Sequence, residues 1–135
     1  MSAAPIVAAQ SRGRFGEIAI AGTADDLVHF AQALATPGRI RISGTALPHY
    51  PIPIEAVVVL VTDRDVVEIH ASEDARELKI TGNTEGLKLF AAAVRSLGLE
   101  GDPGDHLHFE YFPGHYFLGA GTTSTVIEVL TNSEL

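Results

Sequence analysis

Two spacings of apolar residues organise this chain. From Glu17 to Gly22 and from Glu77 to Gly82, apolar side chains fall on every second position: Ile18 and Ile20 in the first stretch, Leu78 and Ile80 in the second. That alternation predicts strands with one covered face. Directly afterwards the period lengthens. Leu27, Phe30, Ala31 and Leu34, and then Leu87, Phe90, Ala91 and Val94, share one face of a helix. Thr23 is placed to cap the first helix, with Asp25 and Asp26 at the positive end of its dipole, and Asn83 and Glu85 repeat the device. Pro37-Gly38 and Gly98 mark where the helices should stop.

Each helix is followed by another alternating strand, Arg39–Ile42 in the first half and His106–Tyr111 in the second. Ile40 and Ile42 thus correspond to Leu107 and Phe109 on the core side. A loop follows in both halves, Pro48-His49-Tyr50-Pro51 and Pro113-Gly114-His115-Tyr116, leading to the β-branched runs Val57–Val61 and Thr125–Leu130. Val66–His70 adds a further strand through the turn at Asp63-Arg64-Asp65.

The two stretches are related by more than pattern. Laid on each other at an offset of 60, residues 17–34 and 77–94 are identical at seven of eighteen positions, Ile20/Ile80, Gly22/Gly82, Leu27/Leu87, Phe30/Phe90 and Ala31/Ala91 among them. These are core and turn positions, so the chain reads as an internal duplication of a β-α-β-β unit. The predicted fold is an α+β two-layer sandwich, a largely antiparallel sheet with two helices on one face and an approximate two-fold axis between halves.

At 135 residues, 46% hydrophobic and 19% charged, the chain has the size and composition of one globular domain. We expect a flexible N-terminal tail over residues 1–13 and a single domain over 14–135, with repeat halves at about 14–75 and 76–135. The absence of cysteine excludes disulfides, thiolate metal sites and a cysteine nucleophile, and fits a cytoplasmic setting. Met1–Gln10 is apolar but too short to span a bilayer, so no membrane association is expected. A net charge of −8 argues against nucleic acid, whose affinity comes from neutralising phosphates with Lys and Arg. Proteins, small molecules or basic surfaces are the partners such a body suits.

The residues able to carry chemistry concentrate on one strand. His106, His108 and Glu110 alternate and therefore project to one face. Two imidazoles and a carboxylate can hold a divalent metal, but a third or fourth ligand must come from elsewhere, with His115 as the one candidate. The corresponding positions of the first half hold Arg39 and Arg41, which favours a polar contact face over a metal centre. We therefore expect a partner-binding surface of His106, His108, Glu110, His115, Arg39, Arg41 and His49, with no metal, no cofactor and no catalytic set. The Thr122–Thr125 cluster lies in no nucleophile elbow, no phosphate loop is present, and Glu100–Asp105 lacks calcium-loop spacing.

From Leu78 to Leu130, the run Leu-Lys-Ile-Thr-Gly, the Gly86-Leu87 pair, Asp105–Tyr111 with its His-x-His-x-Glu strand, Phe117-Leu118 and the terminal strand resemble the bacterial immunity protein 32 family. Members accompany polymorphic toxins, so the resemblance implies a non-enzymatic protein that neutralises a cognate toxin by binding it, with a homodimer left open. The family's polar pattern carries over to His106, His108, Glu110 and Ser124. Two other classes stay in view: a small metal-dependent or acid–base enzyme centred on His106, His108, Glu110 and His115, and a small-molecule or regulatory module using the cleft between halves.

Overall fold

The computed structural model describes residues 4–11, 16–43, 47, 49–72 and 76–131. Its elements are β1 (Ala4–Gln10), β2 (Ile18–Gly22), α1 (Ala24–Leu34), β3 (Gly38–Ser43), β4 (Ile52–Pro53), β5 (Ala56–Val61), β6 (Glu68–Ala71), β7 (Glu77–Gly82), α2 (Thr84–Glu100), β8 (His106–Phe109) and β9 (Thr125–Val129). The strands form a mixed sheet in the order β6-β7-β5-β3-β1-β2-β9-β8, with the short β4 beside β1. The β1–β3 join is irregular and divides the sheet into five-stranded and four-stranded parts that do not close. Two helices on this sheet give the expected α+β sandwich.

Both helices begin and bury themselves as their sequences dictate. The Thr23 hydroxyl accepts from the Asp26 N–H at 3.3 Å, and the Asn83 side chain accepts from the Gly86 N–H at 2.8 Å. The buried face of α1 is Leu27, Phe30, Ala31 and Leu34, and that of α2 includes Leu87, Phe90, Ala91 and Val94. These side chains share one core with Ile18, Ile20, Val57, Val59, Leu78 and Ile80 from the strands. α2 runs past the expected stop at Gly98. A Cβ there would sit 2.8 Å from the Ala24 carbonyl oxygen, so this glycine lets the helices touch rather than ending one of them.

Strand pairing is reciprocal between the halves. β2 of the first half runs parallel to β9 of the second, and β7 of the second runs parallel to β5 of the first. Within the halves, β3 pairs with β5 and β8 with β9, all antiparallel. Of the eight strand pairings among the described residues, five are antiparallel and three parallel, and the parallel ones lie in the interior of the sheet.

The expected tail over residues 1–13 is not what its described part forms. Ala4–Gln10 is an interior strand between β2 and β3, with Ile6 and Ala8 fully buried. Small apolar residues are what a strand covered on both faces requires, and their lack of polar alternation hid it. Met1–Ala3 and residues 12–13, like Pro48 of the first loop, lie outside the described residues.

Candidate interaction surface

β8 stands at one end of the sheet, and β9 holds it in register by His106↔Glu128, Leu107↔Ile127, His108↔Val126 and Phe109↔Thr125. Phe109 is buried, meeting Phe90 edge-on at a ring distance of 5.0 Å and Phe117 at 6.5 Å. With Phe109 and Leu107 turned to the core, His106 and His108 must emerge on the opposite face, where both are exposed. Their rings meet edge to face with centroids 5.0 Å apart.

The cleft these imidazoles border was not legible from spacing alone. Leu47, His49 and Tyr50 lie over the outer face of β2, Leu47 and Tyr50 bonding each other's backbones at 3.0 and 2.8 Å. Beneath them Ala19 and Ala21 are buried although they lie on the face of β2 away from the helices. A cleft of about 440 Å³ results, lined by His49, Tyr50, Glu17, His106, His108 and Glu128 with apolar Leu47, Ala19 and Val126 between them. His49, from the first half, thus joins His106 and His108 from the second. It does so with φ at 68°, a left-handed conformation uncommon outside glycine.

A polar chain runs along the same face. The Tyr50 hydroxyl donates to the Glu17 carboxylate. Ser124 lies between two acids, its hydroxyl 3.0 Å from Glu110 and 3.5 Å from Glu17. Since one hydroxyl carries one proton, Ser124 serves one carboxylate at a time. The hydrogen bond to Glu17, aided by burial and by the negative charges of Glu17 and Glu128, pushes the Tyr50 hydroxyl up to about 12 from 10.0. Tyr50, Glu17 and Glu128 are polar members of this surface that the sequence did not single out. The signal available was the pair of alanines on the outer face of β2, where a solvated strand would carry polar side chains.

The remaining expected contacts lie elsewhere. His115 turns inward: its Nδ1 accepts from the N–H groups of Phe117 and Leu118 at 3.2 and 3.0 Å, and its ring packs on Phe112, Tyr116 and Phe117. It shapes a turn and does not join His106. Arg39 pairs with Glu77, and Arg41 is exposed farther along the same strand. β3 lies four strand spacings from β8, about 19 Å along the sheet, so these arginines do not extend the His106/His108 surface. The alternation placed them on the correct face but said nothing about strand order. Among the described residues, no three His, Asp or Glu side chains converge as a metal site.

Fold and surface together define an α+β protein with a solvent-open cleft, apolar at its base and bordered by histidines and acids, at one end of its sheet. Residues 77–130, from β7 to just beyond β9, match the family model of Immunity protein 32. The resemblance read from the sequence holds over that segment, which supplies α2, β8 and β9. No curated protein and no solved structure matches the chain significantly.

Proposed function

We propose that this chain is an immunity protein that neutralises a cognate toxin by binding it through the outer face of β8 and β9 and the cleft beside Leu47, His49 and Tyr50. The observation that carries this reading is the coincidence of the Immunity protein 32 match with the strand presenting His106 and His108. Glu110, held by Ser124, and His49, opposite across the cleft, complete the contact set. Arg39, Arg41 and His115 drop out of it on position. The surface needs no cofactor, and its acidic setting suits a basic partner, because charge complementarity speeds encounter and selects the partner.

Co-expression tests the reading in cells. A cognate toxin domain, sought among the genes neighbouring this one, should arrest growth of a host, and this chain should restore it. His108→Ala combined with Glu110→Ala should weaken protection while leaving the fold intact, since both side chains are exposed. Arg39→Ala should protect like the wild type. Protection undiminished by the double variant would move the binding surface elsewhere.

A further inference from the structure

The two halves treat equivalent strands differently. β3 and β8 each follow a helix, and each forms an antiparallel hairpin with the next long strand, β5 or β9, which in turn runs parallel to the opening strand of the other half. On its second edge β3 carries β1, which runs parallel to it and buries Ile6 and Ala8 in the core. On its second edge β8 carries no strand among the described residues. The other end of the sheet is closed differently: the Val67 N–H donates to the Phe117 carbonyl, Gly119 N–H to Val67, and Thr123 N–H to Ile69, at 2.7–2.8 Å, so residues 117–123 cover β6.

The edge of β8 has hydrogen bonds to give. Val129 N–H donates to the Asp105 carbonyl at 2.9 Å, which sets residues 105, 107 and 109 as the ones whose backbone faces β9. The N–H and C=O of His106 and His108 therefore point off the sheet. Beside them, between β8 and the last turns of α2, lies a groove of about 610 Å³ with Ala93, Leu97 and Leu107 in its lining and Glu100 and Asp105 at its rim. This is where Ile6 and Ala8 would lie if β1 had a counterpart here.

We propose that the free edge of β8 takes up an extended segment of the partner protein, alternately apolar and basic, as an added strand. The identity of the partner as a toxin rests on the functional reading above; the chemistry of the segment does not. Alternate side chains of an added strand point to opposite faces, one set into the apolar groove and the other toward the face of His106 and His108. Charge decides between a basic segment and a second copy of this chain. From Ser96 to Leu135 there is no Lys or Arg, while Glu100, Asp102, Asp105, Glu110, Glu128 and Glu134 give this stretch −6 of the net −8. Pairing β8 with β8 of a second copy would bring two such ends together, whereas Lys or Arg on an incoming strand meets their field.

The test uses the full chain and a blocked peptide of about ten residues alternating Val and Lys, long enough for one strand. Amide exchange should show the His106 and His108 N–H groups fast in the free protein and protected with peptide, while a Val/Glu peptide of equal length has no effect. His108→Pro removes an outward N–H that β9 does not use, so the fold tolerates it and peptide affinity should fall about tenfold or more below that of His108→Ala, which lacks the same imidazole but keeps the N–H. Equal losses in the two variants, unprotected His106 and His108 amides in the wild type, or equal binding of the acidic peptide would overturn strand addition. A wild-type dimer that His108→Pro dissociates would assign the edge to a second copy and overturn the proposed occupant. Toxin binding weakened no further by His108→Pro than by His108→Ala would sink this inference alone; peptide uptake without any toxin binding would sink the functional reading alone.

Discussion

Phe90 joins the helix layer to the strand that carries the surface, and its truncation measures how firmly β8 is held. The side chain is fully buried, and its ring meets Phe109 at 5.0 Å and 79°, an edge-to-face contact. Phe109 in turn contacts Phe117, at the start of the segment that covers β6. Removing a buried phenyl ring costs about 3–5 kcal/mol through lost transfer energy and the cavity left behind. The edge-to-face pair adds about 0.5–1.5 kcal/mol beyond area, which lifts Phe90→Ala from the lower end of that range to its middle, about 4 kcal/mol. For 135 residues at about 2.1 cal/mol/K each, the unfolding entropy is about 280 cal/mol/K, so Tm should drop by about 14 °C. Urea unfolding should show the midpoint falling with an unchanged slope. Phe90→Leu should cost about 1–2 kcal/mol, and Phe112→Ala, at a residue 57% exposed, within about 0.5 kcal/mol of zero. A Phe90→Ala loss under about 1.5 kcal/mol, or one matched by Phe112→Ala, would refute the assignment of Phe90 as the link between α2 and β8.

Three further outcomes follow from local geometry. Tyr50 is raised to about 12 by its bond to Glu17, so this contribution to stability is fully present below pH 10 and is lost as pH rises through about 12. Absorbance titration should show a tyrosine component near 12 that Tyr50→Phe removes; its persistence in Tyr50→Phe would contradict the assignment. Gly98→Ala should destabilise by about 1–2 kcal/mol despite alanine's better helix propensity, because its Cβ meets Val28 as well as the Ala24 carbonyl; a higher Tm would show that the helices part easily. Asn83→Ala should cost about 1 kcal/mol and Asn83→Gly only a few tenths, read by thermal unfolding; equal effects would mean that the cap contributes nothing.

What the sequence could disclose was local. Helix faces and caps are written in residues three or four apart, and Leu27, Phe30, Leu87 and Phe90 lie where that spacing puts them. Strand partners are not written this way. Alternation assigns Arg39 and His106 to faces, but the pairings β2–β9 and β5–β7 join residues far apart in the chain, and they set the distance between the two. β1 was missed because Pro5, Val7, Ala8 and Ala9 have no polar face to mark a period. The cleft was missed because a loop covers β2, an event betrayed only by Ala19 and Ala21 where polar side chains were expected. His115 reads as a loop ligand by composition, and the two backbone N–H groups on its Nδ1 are a consequence of turn geometry that spacing does not encode.

The central claim is that the His106/His108 end of the sheet binds a toxin. Titration calorimetry of the purified full chain with a cognate toxin domain sought among the neighbouring genes tests it most directly, run in parallel on the His108→Ala, Glu110→Ala double variant. The account predicts a 1:1 complex with Kd in the nanomolar range or tighter, about 12 kcal/mol of binding free energy, weakened about tenfold or more by the double variant. No heat and no complex at micromolar concentrations, or wild-type affinity in the double variant, would contradict it.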